Sequence, residues 1–278
     1  MGTKAVAAGK GRRLDAQLVA RGLVESAAKA VPVILAGEVY VNNIRADRPA
    51  QLVAPDAVVE IRPRRPRFVS RGGEKLASAL HELGIDPTGT RALDVGASTG
   101  GFTDCLLQHA ARLVYATDVG TGQLAWTLRR DPRVVVLEQR DIRGLAPEEL
   151  GGPVDLATVD VAFISLTRVL PAVAGLLSPD GSIVALVKPQ FEVEARLARG
   201  GVVRDADVHR DALQRVLARA AESGLVPVAA THSPVAGPDG NLEFFVHLRR
   251  TGTAAPIDVD AVVAQAHQQV PRRSAPRR

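Results

Sequence analysis

Leu93-Asp94-Val95-Gly96-Ala97-Ser98-Thr99-Gly100-Gly101-Phe102-Thr103 carries an apolar strand into a glycine-rich turn and out into a helix. The glycines let the backbone turn sharply and pass close to a ligand. The first N–H groups of the helix have no intrahelical partner and can face a polar ligand. Strand, glycine turn and helix in this order open a parallel α/β sheet, and in such sheets the first loop lies at the ligand crevice.

The pattern repeats outward from this segment. Apolar strands are expected at 91–95, 113–117, 134–137, 155–159, 182–187, 226–232 and 242–248. Helices are expected between them at 73–83, 101–110, 123–130, 165–177 and 206–224. Strands separated by helices imply crossovers and a mostly parallel, doubly covered sheet. Only THSPVAGPDGN separates the last two strands, too little for a helical crossover, so they are expected as an antiparallel pair at the end of the sheet. A seven-stranded, mostly parallel sheet with that ending is the Rossmann-like methyltransferase arrangement.

Ahead of it, residues 12–64 read as a small α+β domain. Helices are expected at 14–21 and 26–36, the second kinked or shortened by Pro32. Strands are expected at 38–42, 51–53 and 57–61. RPRRPRF, residues 62–68, reads as an exposed Pro/Arg linker, and the whole connection spans 65–71. The catalytic domain is expected over 72–252, then a C-terminal helix and a basic tail over 253–278. Residues 1–11 and the end of the tail are expected to be disordered.

The chain has 278 residues, 46% of them hydrophobic, enough for one sizeable core and a smaller module. No apolar run reaches bilayer length, and MGTKAVAAGKGRRLD lacks the apolar stretch of a signal peptide, so a soluble cytoplasmic protein is expected. The single cysteine, Cys105, excludes an internal disulfide framework, and the six histidines show no metal-ligand spacing, so no metal is expected. Residues 1–71 carry a net charge of +7 in a chain of +5. A basic front end points to a polyanionic partner, although a solubilising surface explains charge alone equally well. Arg12, Arg13, Arg21, Lys29, Arg64, Arg65, Arg67 and Arg71 are the candidate RNA contacts.

The glycine loop is G-x-x-x-G-G, unlike the G-x-G-x-x-G of dinucleotide sites, and has no Lys-Ser/Thr ending of a P-loop. Asp94 before the first glycine disfavours a pyrophosphate and suits a cationic ligand. S-adenosylmethionine, with an ammonium and a sulfonium, fits. The loop residues Gly96, Ser98, Thr99, Gly100, Gly101 and Phe102 then hold the cofactor. Asp118 and Val119 follow the second strand, where a carboxylate can bind ribose hydroxyls. Asp141 and Ile142 follow the third and can meet the adenine, although Asp141 can equally cap the next turn. An NAD site also places an acidic residue after the second strand and is the rival reading.

Methyl transfer from a sulfonium is an in-line displacement that needs alignment and management of the acceptor's proton. A cytosine-C5 acceptor needs a cysteine nucleophile, and Cys105 sits on a packing face. The Asn/Asp-Pro-Pro-aromatic signature for exocyclic amines is absent, since the fourth strand ends Asp160-Val161-Ala162-Phe163. Lys75, Asp160, Lys188 and Glu243 fall where this fold places function, and together they form a set suited to a hydroxyl acceptor. Within a cleft a lysine's pKa falls, so that it can orient or deprotonate a hydroxyl. Taken singly each could be structural. Phe102, Phe163, Phe191, Phe244 and Phe245 lie in or beside these motifs, as stacking surfaces or as core.

These four residues resemble, in order and context, the Lys-Asp-Lys-Glu tetrad of FtsJ/RrmJ-like ribose 2′-O-methyltransferases. RLDAQLVARGL, VSRGGEKL, LDVGASTGGFTDCLL, LVKPQFE and GNLEFF are similar to the TlyA family, rRNA cytidine-2′-O-methyltransferases that also carry a haemolysin label. The resemblance implies an S-four-like RNA-binding domain over residues 12–64 and catalysis by the tetrad. It further implies ribosomal RNA in the ribosomal subunits as partner, without membrane. GRRLD and the segment after Pro256 resemble members that modify both subunits, whose methylation is tied to capreomycin and viomycin susceptibility. The chain departs from the family pattern at Ala27, at Pro32 and in the loop EVEARLARGG. A ribosome-binding or haemolysin-like protein without methyl transfer is the non-enzyme alternative.

Overall fold

The computed structural model describes residues 11–62, 66–237 and 239–270. The expectations for residues 1–10, for Arg64 and Arg65, and for residues 271–278 lie outside them. The chain divides into two units, residues 1–66 and 67–278.

The first unit contains β1 (Arg12–Arg13), α1 (Leu14–Ala20), α2 (Ala27–Leu35), β2 (Val39–Val41), β3 (Ile44–Ala46), β4 (Leu52–Val53) and β5 (Val59–Ile61). Leu14 and Leu18 on α1, and Ala30 and Ile34 on α2, recur one turn apart and close over Val39, Ala46, Val53 and Val59. Ser26 caps α2 through the Lys29 N–H. Pro32 does not end the helix, which continues to Leu35. β2 and β3 form a hairpin that the sequence reading misses. Val41 pairs with Ile44, and Asn42 and Asn43 between them both take positive φ, as a two-residue hairpin turn requires.

The second unit runs α3 (Arg71–Glu82), β6 (Arg91–Val95), α4 (Gly101–Gln108), β7 (Leu113–Asp118), α5 (Trp126–Arg129), β8 (Val134–Glu138), β9 (Val154–Val159), α6 (Leu170–Leu176), β10 (Leu177–Val187), α7 (Pro189–Glu192), α8 (Ala206–Glu222), β11 (Val226–His232), β12 (Phe244–Arg249) and α9 (Val259–Gln269). Its seven strands are ordered β11-β12-β10-β9-β6-β7-β8. β10, β9, β6, β7 and β8 pair in parallel, and β12 is antiparallel to both β10 and β11. The expected antiparallel ending is present, with the last strand inserted between β10 and β11.

Period-two alternation sends successive side chains to opposite faces. Leu93, Val95, Ala157, Val159, Ile183, Ala185 and Phe244 join one core. Ala92, Leu156, Val184, Leu186 and Phe245 join the other. Phe244 and Phe245 are therefore core residues, both 0% exposed, and not stacking surfaces.

Three local expectations change. The helix expected at 123–130 shrinks to Trp126–Arg129, because the chain after β7 turns through Gly122 at positive φ and is then tied by the Ala125 N–H to the Thr99 carbonyl. The helix expected at 165–177 is a 3₁₀ turn, Leu166–Arg168, followed by α6 with Pro171 in its first turn. The linker ends sooner than expected. Phe68 is 2% exposed, and a Cβ on Gly73 would lie 2.2 Å from its ring. The Val69 N–H donates to Asp104 Oδ2 at 2.8 Å, and Gln108 Nε2 donates to the Arg67 carbonyl at 2.9 Å. The aromatic ring supplies the burial that arginine-rich composition argues against.

Candidate active site

The strand order reverses at β6, whose neighbours β7 and β9 lead away in opposite directions, so a crevice opens at its C-terminal end. The glycine loop lines it. Gly96 has φ +83°, and a Cβ there would lie 2.4 Å from the Asp160 carbonyl oxygen, so only glycine lets the two backbones meet. A Cβ on Gly101 would lie 2.2 Å from Ser70 Oγ, which brings the start of α4 against the start of α3. Gly100, at φ +99°, faces Leu124 and Leu128 instead of the crevice.

The crevice has two parts. A cleft of about 500 Å³ is lined by Gly96, Ser98, Asp118, Val119, Asp141, Ile142, Asp160 and Phe163, among others. A smaller recess of about 220 Å³ is lined by Arg71, Lys75, Gly96, Ser98, Thr99, Gly101, Phe102 and Asp160. Gly96, Ser98 and Asp160 belong to both, so the two parts are continuous at the tip of β9.

Asp94 departs from its expected role. It is 0% exposed and lines neither part. Its carboxylate accepts from Thr103 Oγ1 at 2.6 Å and Thr158 Oγ1 at 3.1 Å, tying α4 and β9 to β6 beneath the loop. Burial pushes its pKa from 3.8 up to about 7, against the two hydroxyl donors. A ligand amine above the loop therefore meets no carboxylate from this residue.

Asp118 accepts the Ser98 N–H at 2.8 Å and the Gly120 N–H at 2.7 Å, which fixes it at the rim of the larger cleft. Gln123, overlooked in the sequence, lines the same wall and meets Ser98 Oγ at 3.1 Å. Asp141 caps the turn at Ile142, accepting from the Arg143 N–H at 2.9 Å, and its pairing with the Arg143 side chain lowers its pKa to about 2. The capping alternative is thus realised, while Asp141 still borders the cleft.

The four charged candidates come together. Lys188 leaves β10 and Asp160 leaves the adjacent β9, and they form an ion pair of 2.6 Å. Val187 pairs with Phe244, so the next residues outward, Lys188 and Glu243, leave the antiparallel pair at the same rung. Glu243 precedes β12 instead of lying within it, is 2% exposed, and forms an ion pair with Lys75 of α3. Burial pushes its pKa up, and Lys75 and Lys188 pull it down. The result is two cations and two carboxylates in alternation at the C-terminal edge of the sheet, of which Lys75 and Asp160 line the smaller recess. Such a set can hold a neutral hydroxyl and stabilise the charge that develops as its proton is lost.

The candidate RNA contacts divide by what their side chains do. Arg12 is exposed and has no side-chain partner among the described residues, and Lys29 is also exposed. Arg13 pairs with Asp15 at 2.6 Å. Arg21 donates to the Ala57 and Pro55 carbonyls at 2.7 and 2.9 Å, holding its own domain together. Arg67 stacks 4.7 Å from the centre of the Phe68 ring, and Arg71 borders the smaller recess. Phe102, 3% exposed, packs on Phe245 with ring centres 6.1 Å apart. Phe163 is 92% exposed.

The FtsJ-like methyltransferase family matches residues 68–250, and the S4 domain matches residues 12–59. The 16S/23S rRNA (cytidine-2′-O)-methyltransferase TlyA of Mycobacterium tuberculosis is 48% identical over 239 residues, covering 85% of this chain and 89% of that one. Hemolysin A of Brachyspira hyodysenteriae is 39% identical, covering 84% of this chain and 98% of that one. A solved structure of a hemolysin-named protein from Streptococcus thermophilus superposes with a TM-score of 0.73 at 39% identity, covering 94% of this chain and 97% of that one. Among the described residues no helix is long and apolar enough to cross a membrane, and no group of three or more His, Cys, Asp or Glu is placed to hold a metal ion.

Proposed function

The chain belongs to the FtsJ-like methyltransferases, within the TlyA family, and from that premise we propose that it transfers a methyl group from S-adenosylmethionine to the 2′-hydroxyl of cytidine in ribosomal RNA. The observation that carries this reading is the alternation of Lys75, Glu243, Lys188 and Asp160 beside the glycine-loop cleft. Three charged groups at strand ends and one on α3, with Lys75 and Glu243 nearly buried, are the arrangement expected of a functional site.

The residues present fit the cofactor. Asp118 at the rim suits a ribose diol, and the apolar wall of Val119, Ile142, Phe163 and Ile164 suits an adenine. The close backbone of Gly96 and Ser98 leads toward Asp160. When bound, S-adenosylmethionine supplies a methyl group activated for displacement. Lys188, as the neutral amine, orients the acceptor hydroxyl and takes up its proton as the oxygen attacks, and Asp160 holds the ammonium that results. Glu243 and Lys75 form the second layer, Lys75 reaching the recess and Glu243 fixing it from below. The S4 domain grips rRNA through its exposed basic residues, Arg12 and Lys29 foremost.

The test is transfer of tritiated methyl from S-adenosylmethionine to small and large ribosomal subunits from cells lacking this gene, with mass mapping of the modified nucleotide. A 2′-O-methylcytidine appearing only with the active protein is expected. No transfer to either subunit, or a methyl group on a base, would overturn the reading.

A further inference from the structure

The loops that follow Lys188 and Asp160 are fastened to each other by one side chain. Glu192 ends α7, four residues beyond Lys188, and is 4% exposed. Its Oε1 accepts from the Leu166 N–H at 2.8 Å and its Oε2 from Ser165 Oγ at 2.5 Å. Ser165 Oγ also accepts from the Thr167 N–H at 3.1 Å, so the whole turn after β9 hangs on the carboxylate. Beside it the rings of Phe191 and Phe163 lie 5.3 Å apart.

A buried carboxylate is unfavourable, and burial pushes the pKa of Glu192 up against the donors from Ser165 and Leu166. An apolar side chain would fill the space without that penalty. The carboxylate is explained by what it holds. Val161, Ala162, Phe163 and Ile164, between Asp160 and Ser165, form one wall of the larger cleft. Within that wall Phe163 has φ +64°, a conformation unfavourable for an aromatic residue that persists only where its surroundings impose it. The anchor at Ser165 and Leu166 lies just beyond it.

We propose that Glu192 is a positioning residue for methyl transfer, clamping the loop after Asp160 to the loop after Lys188 so that the ion pair and the cleft wall keep one geometry. The proposal rests on the reading that Asp160 and Lys188 act on the acceptor hydroxyl. Glu192 touches neither of them and acts through the backbone they share with its partners.

The full-length protein is tested in single-turnover methyl transfer at saturating S-adenosylmethionine and saturating unmodified subunits. Glu192→Ala is expected to slow the saturated rate by about 10- to 100-fold, the range for lost alignment of reacting groups. The KM for subunits should change far less. Glu192→Gln should restore most of the rate, because its amide can accept from the Leu166 N–H and donate to Ser165 Oγ. Leu150→Ala serves as the stability control, since Leu150 is buried beside Arg91 at the opposite edge of the sheet. It should lower the melting temperature without slowing the saturated rate. Should Glu192→Ala fail to fold, Ser165→Ala removes one donor and should slow the rate by a smaller factor. A wild-type rate in Glu192→Ala or Ser165→Ala overturns the proposal, as does equal slowing in Leu150→Ala at matched melting temperature. Failure of the unaltered protein to methylate rRNA would instead overturn the functional reading itself.

Discussion

Lys188 and Asp160 stand at the tips of neighbouring parallel strands and form an ion pair of 2.6 Å, with Asp160 at the junction of the two parts of the crevice. Glu243, just ahead of β12, is brought to the same place by the pairing of Phe244 with Val187, and it pairs with Lys75. The pairing makes Lys188 a held, directional group instead of a free surface lysine.

Lys188→Ala should abolish methyl transfer while leaving S-adenosylmethionine binding intact, because the larger cleft assigned to the cofactor is lined by Asp118, Val119, Ile142 and Phe163 and not by Lys188. Acid–base assistance alone is worth about 10²–10⁴-fold, and lost positioning adds to it. Lys188→Arg should not rescue, since a guanidinium cannot act as a base and its fork does not fit a point-charge site. Isotope transfer beside cofactor calorimetry checks this, and near-normal transfer by the alanine variant would remove Lys188 from the mechanism.

Lys75→Ala should destabilise the fold by about 3–5 kcal/mol, because it strands the Glu243 carboxylate, 2% exposed, without its cation. The double variant Lys75→Met/Glu243→Leu should recover much of that stability and none of the activity. Denaturant unfolding and methyl transfer on the same preparations separate the two effects. Equal stability of the single and double variants would contradict the stranded-charge account.

Asp94→Asn should keep cofactor affinity, since Asp94 lies under the loop and outside both parts of the crevice. It should also change how stability depends on pH. The folded pKa of Asp94 is about 7 against 3.8 in an exposed chain. Between those values the folded state binds the proton and the unfolded state does not, so stability falls as pH rises and levels off above about 7. The asparagine variant lacks this component. Its melting temperature should gain on the wild type between pH 5 and 7.5, on the order of one folded-state titration. Parallel melting curves across that range would show that Asp94 does not titrate as described.

Arg12→Ala should weaken rRNA binding and reduce the slope of log affinity against log salt by about one counterion. Arg21→Ala should instead lower the stability of the first unit, because its guanidinium holds the Ala57 and Pro55 carbonyls. Filter binding over a salt series, beside thermal unfolding, distinguishes them. Equal salt slopes in wild type and Arg12→Ala would exclude a phosphate contact at that position.

Periodicity carried most of the fold. Strands buried on both faces read as unbroken apolar runs, and the glycine turn marks a loop where backbone must approach backbone, so the order of elements and the crevice were legible along the chain. The hairpin at Asn42-Asn43 was not, because its strands are three residues long and leave little alternation to read. Position along the fold also named all four charged residues, Asp160 and Lys188 at the ends of apolar strands, Glu243 near the start of the last strand and Lys75 at the opening of the helix before the first. Their meeting was a matter of register. Only the pairing of Val187 with Phe244 brings Lys188 and Glu243 to one rung. Residue type cannot say which way a side chain points. Asp94 turned under the loop to Thr103 and Thr158, Gly100 turned to Leu124 and Leu128, and Glu192 reached across to Ser165 and Leu166. These contacts join residues far apart in the chain, and a local pattern holds no record of the distance that folding closes.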